Sequence, residues 1–249
     1  MANIRKRFLY EISQIKSDLH IIEYLCWWAL RLCMIITYIV FTVKGEALYQ
    51  RNLILINTVA TFAIFLMRFI LPKRLFTSKL SYRIQSYIDI FVLLGSFLGH
   101  GMKFLGEVPE YDKFMHIMAG GVVVLIGAEV IKAFNGHEAL TPALRLFCGI
   151  GFSFMFIVLW ENMEFIADWL ITDSNNQNYL GAPGEYDPFI KIFGESKNSP
   201  EQNPVYDTNA DMLYAVIGCI LFSVPFYFVL SKNYKRLKKE DVIKETVNV

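Results

Sequence analysis

The alternation of apolar and polar positions divides the chain into apolar runs near 22–43, 52–71, 84–104, 113–133, 146–171 and 212–231, separated by short polar connections and a long one at 172–210. Each run approaches the twenty or so residues that an α-helix needs to cross a hydrocarbon core of about 30 Å at about 1.5 Å per residue. The pattern predicts an all-α fold, a polytopic transmembrane helical bundle of about six spans over 22–231. An N-terminal segment, 1–21, precedes it, and a basic tail, 232–249, follows. The third run is the least regular. Asp89 and His100 stand towards its ends, and Gly95 and Gly99 form a small-xxx-small pair suited to close helix contact. Pro225 predicts a kink in the sixth run, because proline removes a backbone donor.

Composition supports lipid rather than water as the surrounding medium: 55% of the residues are hydrophobic, 15% are aromatic and the mean hydropathy is +0.39. A net charge of +1 gives no field for nucleic acid, so the distribution of Lys and Arg is the informative quantity. Four precede the first run, four fall in 73–83, two in 132–145 and six after 231, sixteen in all, against six in the three remaining connections. The positive-inside rule then puts both termini in the cytoplasm and the 172–210 connection outside. Arg5, Lys6 and Arg7 resemble the start of a signal peptide, but no small-residue cleavage site ends the next run, so the first span stays attached. Cys26, Cys33, Cys148 and Cys219 lie inside apolar runs, where a thiol behaves as a small hydrophobe, and no disulfide framework is expected. The partners expected are membrane lipids, with the Lys-rich stretch 232–239 suited to anionic headgroups.

Candidate chemistry gathers where three predicted helices meet the outer face. Asp112-x-x-x-His116 opens the fourth span, Glu161-x-x-Glu164-x-x-x-Asp168 ends the fifth, and Asp207-x-x-x-Asp211 opens the sixth. Spacings of three, four and seven put each set on one helical face, and all three reach similar depth on the same side. An acid towards the middle of a bilayer costs about 2.5–3.5 kcal/mol on insertion scales, so such a cluster must face the interior and be protonated, paired or metal-bound. Few cations are at hand: Lys113 is adjacent but outward-lying, and Arg31 lies deeper. Capping is the competing explanation. Asp207 and Asp112 suit helix N-termini, but Glu161 and Glu164 lie towards a C-terminal end, where the dipole disfavours negative charge. A shared site of Asp112, His116, Glu161, Glu164, Asp207 and Asp211 is therefore expected. Carboxylates with one imidazole suit a divalent metal ion such as Mg, Mn, Ca or Fe, with Zn an alternative.

His100 is a further ligand candidate, although a lone His beside glycines is more simply a hydrogen-bonding residue, and His137 falls on a cytoplasmic connection. Arg68 is expected to pair with Asp89, and Glu129 with Lys132 one turn on. The apolar island at 188–193 in the long connection reads as part of an ordered loop, with a surface-lying or plugging segment as the alternative.

The run Tyr111-Asp112-Lys113-Phe114-Met115-His116 with Gly120 and Gly121, then Trp160-Glu161-Asn162-Met163-Glu164-Phe165, then Tyr206-Asp207-Thr208-Asn209-Ala210-Asp211-Met212, resembles the YjdF-like bacterial inner-membrane proteins over roughly 85–231. The Asp-Lys-x-x-His piece alone is also similar to VanZ-like proteins. The YjdF-like resemblance implies a fold, a shared polar site and a place in the bacterial cytoplasmic membrane rather than a reaction. This chain departs from that pattern in the longer stretch between Gly184 and the Asp207 helix. Three functional classes remain open: a site that binds or passes a cation or proton; a metal-assisted hydrolase or transferase acting on a lipid or envelope precursor, with Glu161, Glu164 or His116 as the catalytic residue that moves protons; and a structural polar network.

The orientation is checked by placing a cysteine at Ser196 in a background without the native four. A membrane-impermeant maleimide is expected to label it in intact cells, and labelling from the cytoplasmic face alone reverses the assignment.

Overall fold

The computed structural model describes residues 2–46, 48–134, 140–170 and 204–247, and among these there is no strand. The helices are α1 (Ala2–Asp18), α2 (Ile21–Lys44), α3 (Leu48–Ala60), α4 (Ala63–Ile70), α5 (Arg83–Phe91), α6 (Phe104–Glu107), α7 (Tyr111–Phe134), α8 (Pro142–Leu170) and α9 (Pro204–Val247). Among the described residues α2, α7, α8 and Asp207–Lys239 of α9 are long and apolar enough to cross a membrane. The 172–210 connection up to 203, including the island at 188–193, lies outside the described residues, as does His137.

α7 is the axis of the bundle. Five successive residues, Gly120 to Val124, are buried, and at 100° per residue such a run covers the whole circumference of a helix. α8, α9 and α5 enclose it. The packing depends on glycine. A methyl group at Gly120 would lie 1.8 Å from the Ala215 carbonyl oxygen, and one at Gly218 would lie 1.9 Å from the Ile117 carbonyl oxygen. Because Ile117 and Gly121 face Gly218 and Phe222, and His116 and Gly120 face Asp211 and Ala215, each pair advancing by four residues on both helices, α7 and α9 run side by side in the same direction. On the other flank Gly149 meets the Val124 carbonyl, and Ser153 donates a hydrogen bond to the Gly120 carbonyl at 2.8 Å, in antiparallel order. α9 continues through Pro225 as one helix.

Two runs differ from simple spans. The second is broken, with its two halves, Gln50–Ala60 and Ala63–Ile70, bent by 56°. The break frees backbone groups that lipid cannot satisfy, and buried side chains take them up. Gln85 donates to the Ala60 carbonyl at 3.2 Å and accepts from the Ile64 amide at 3.0 Å, while Arg31 donates to the Thr61 carbonyl. The third run continues α5 from Val92 to Gly101 with wider, π-helical winding, and the Met102 amide reaches back five residues to Phe97 at 2.9 Å.

The expected Arg68–Asp89 pair is corrected. Asp89 pairs with Arg31 of α2 at 2.9 Å, and Arg68 pairs with Glu11 of α1 at 2.9 Å. The reason is the break: Arg31 enters at its level, whereas Arg68 lies near the far end of α4, where α1 docks. Glu11 also accepts from the Tyr82 hydroxyl at 2.8 Å. Burial, and then the Glu11 carboxylate, push the Tyr82 phenol above its ordinary pKa, so it stays a donor. Glu129 pairs with Lys132 at 2.9 Å as expected, and also with Arg145 at 2.7 Å.

The glycine contacts carry a prediction. Gly120→Ala or Gly218→Ala forces a methyl into a backbone carbonyl and is expected to destabilise by at least the 1–3 kcal/mol, roughly, typical of overpacking. Gly151→Ala, where nothing lies within 4 Å, is the control and is expected to be neutral or mildly stabilising. Thermal unfolding in detergent decides; equal melting temperatures for all three variants would remove the close-approach account.

Candidate metal centre

The α7–α9 crossing extends outwards as matched rows. Asp112, His116 and Gly120 stand four residues apart on α7, and Asp207, Asp211 and Ala215 stand four apart on α9. The closest contact, Gly120 against Ala215, therefore sets His116 opposite Asp211 one turn further out. A third row, Ser153, Ile157 and Glu161, climbs α8 from the Gly120 carbonyl to His116. All nine are buried except Asp112, whose side chain is 46% exposed.

His116 is the meeting point. Its Nε2 lies 3.6 Å from Asp112 Oδ1 and 3.7 Å from Asp211 Oδ2, and its Nδ1 lies 3.9 Å from Glu161 Oε1. Asp112, His116 and Asp211 each offer one ligand atom, all within 4.8 Å of one another. The other oxygens of the two aspartates turn to Lys113. Its Nζ lies 3.4 Å from Asp112 Oδ2, 3.5 Å from Asp211 Oδ1 and 3.4 Å from Asp207 Oδ1.

Lys113 is the residue that the sequence reading misplaced. It was expected to lie outwards, yet its side chain is only 14% exposed. One position after Asp112 it is off the inward row, but its four-carbon stem reaches round to the carboxylates. The available signal was the absence of any other cation at that depth. Asp112 and Asp207 occupy the first turns of their helices, where acids are favoured, so helix-end placement and participation in the site coincide.

The structure brings Asp112, His116, Glu161, Asp207 and Asp211 together around His116 and Lys113. Glu164 stands at the edge of the group: its carboxylate accepts a hydrogen bond from Trp160 Nε1 at 2.7 Å on its own helix and also interacts with the charges of Glu161, His116 and Asp112. Asp168 lies further along α8 and is half-buried, and His100 is exposed on the π-helical stretch.

The fold and site define the class as an all-helical, multi-pass membrane protein with a buried Asp/His/Asp group at one end of its central helix. The chain belongs to the family described as "Predicted membrane protein (DUF2238)", whose model matches residues 27–232, from α2 into α9. No curated protein and no solved structure matches the chain.

Removing the ammonium tests the arrangement. Lys113→Met leaves Asp207 and Asp211 buried beside one another and is expected to cost about 3 kcal/mol, as breaking a buried ion pair does. Adding Asp207→Asn is expected to restore part of that loss in the same unfolding assay. A Lys113→Met protein as stable as wild type contradicts it.

Proposed function

We propose that the protein binds a divalent cation through Asp112, His116 and Asp211 at the outward face of the bacterial cytoplasmic membrane, with both termini in the cytoplasm and membrane lipids around it. The observation that carries this reading is a contrast in distance. The ion pairs elsewhere in the bundle close to 2.7–2.9 Å. Those around His116 stand open at 3.6–3.9 Å, too long for direct hydrogen bonds. They suit ligands of one ion: two bonds of about 2.1 Å meeting at about 120° place their ligand atoms about 3.6 Å apart. Glu161 faces the second ring nitrogen, the position from which a carboxylate orients a metal-binding imidazole.

Three protein ligands leave coordination positions to fill, and the exposure of Asp112 gives them access from outside. An ion held in this way can exchange, and can polarise a phosphate or carbonyl oxygen of a lipid or envelope precursor. Hydrolase or transferase activity is the second reading, favoured by that exposure, with Glu161 and Glu164 as proton carriers.

The test is metal analysis of detergent-purified protein after dialysis against Mg, Mn, Ca, Fe and Zn in turn, with titration of whichever is retained. Asp211→Asn and His116→Ala are expected to abolish stoichiometric retention. Glu161→Gln, which keeps shape but loses charge, is expected to weaken affinity by about 10–100-fold, as changes outside the ligand shell do. Wild-type protein that retains no ion, or variants that retain it equally, would leave only a structural network.

A further inference from the structure

We propose that α1 and the 71–79 segment form a binding surface for anionic phospholipid headgroups, at the end of the bundle opposite the His116 site. This inference is independent of the cation reading. α1 is docked through Arg7, Glu11 and Asp18 together with Ile15. Arg7 donates to the Arg68 and Leu71 carbonyls, which α4 leaves free at its C-terminal end. Glu11 takes Arg68 and Tyr82, and Asp18 accepts from the Tyr82 amide at 3.0 Å as α5 begins. These partners are the polar ends of membrane helices, so α1 lies at the level where the hydrocarbon stops. Ile15 and Leu19 share a core cluster with Ala133 near the end of α7, and Phe76 stacks on Phe134 at 4.6 Å, which fixes the surface at the far end from His116.

The outward side of α1 carries an apolar stripe at its N-terminal half. Ile4 and Leu9 are 63% and 56% exposed, and Phe8 meets Phe65 and Phe69 edge-on at 5.9 and 6.3 Å, continuing the outer surface of α4. Water is a poor medium for such a stripe, and acyl chains a good one. Around it stand Arg5, Lys6, Lys73, Arg74 and Lys79, all exposed, with Lys73 Nζ 4.8 Å above the Tyr10 ring. Both acids of α1 are turned inwards, and residues 71–83 contain none. Bases in this number beside an apolar stripe at the ends of spans complement lipid phosphates, which offer negative charge and hydrocarbon together.

Full-length protein in neutral detergent is titrated with phosphatidylglycerol or phosphatidylcholine, reading the melting temperature and, by native mass spectrometry, the lipids retained per chain. Wild type is expected to gain several degrees from phosphatidylglycerol and much less from phosphatidylcholine, with the difference shrinking in high salt. Arg5→Gln/Lys6→Gln/Lys73→Gln/Arg74→Gln is expected to lose most of that difference and most of the retained phosphatidylglycerol. A tail variant, Lys235→Gln/Arg236→Gln/Lys238→Gln/Lys239→Gln, removes the same number of charges from the stretch that also suits anionic headgroups and is expected to lose clearly less of both. Equal responses to the two lipids, or loss confined to the tail variant, overturns the proposal. If the first variant is less stable without lipid, the retained-lipid count decides, and an unchanged count overturns it equally.

Discussion

The close approach of two backbones, Gly120 against the Ala215 carbonyl and Gly218 against the Ile117 carbonyl, is the constraint on which the rest of the bundle depends. Lipid supplies no hydrophobic drive for helices to associate, so packing at small residues has to hold them. A side chain at either glycine would push α7 and α9 apart. It would also rotate or slide the rows that begin at those contacts. His116 lies one turn from Gly120, and Asp211 one turn from Ala215, so their 3.7 Å separation is a consequence of that crossing rather than of their own attraction. Ser153, donating to the Gly120 carbonyl, ties the third row to the same point.

Charge is treated in two ways along the bundle. Away from the site the buried Arg31 and Arg68 each have several partners. Arg31 reaches Asp89, the Trp27 and Thr61 carbonyls and the faces of three aromatic rings, and Arg68 reaches Glu11, the Leu80 carbonyl and the Tyr82 ring. Pairs of this kind hold a broken helix and a docked helix in place, and removing one partner leaves an uncompensated charge. At the N-terminal end of α7 the separations are longer, and Asp112 and Asp211 each divide their oxygens between an imidazole and an ammonium. That division lets Lys113 offset charge without filling the space between the ligand atoms.

Much of this was legible in the sequence because period and position are local. The apolar runs, the four-residue spacing of Asp112 with His116 and of Asp207 with Asp211, and the common depth of the three polar sets follow from helix geometry alone. What was not legible depends on partners brought from elsewhere. The break at Thr61–Phe62 lies inside an apolar run without proline or glycine, and it is held open by Arg31 and Gln85, 30 and 21 residues from the backbone groups they satisfy. Arg68 found Glu11 because α1, polar enough to read as a detached segment, docks through its charges. Glu164 shares the spacing of Glu161 yet turns to Trp160, a choice between two neighbours that periodicity does not make. Lys113 shows the same limit, since spacing assigns a Cα to a face and not the reach of a long side chain.

The two ends of α7 then differ for one reason. At the C-terminal end Phe134 stacks on Phe76, Ala133 joins a core cluster and Glu129 closes on Arg145 at 2.7 Å. They fix the helix along its axis. At the N-terminal end the same helix carries Asp112 and His116, whose places relative to Asp211 follow from the glycine crossing. A cation site needs this condition: ligands held apart by the scaffold bind an ion without first paying to be ordered, whereas acids free to move would close into hydrogen bonds or turn to water. The packing of the C-terminal half of α7 therefore bears on the proposed cation site, although Phe134, Ala133 and Glu129 lie at the opposite end of the helix from His116.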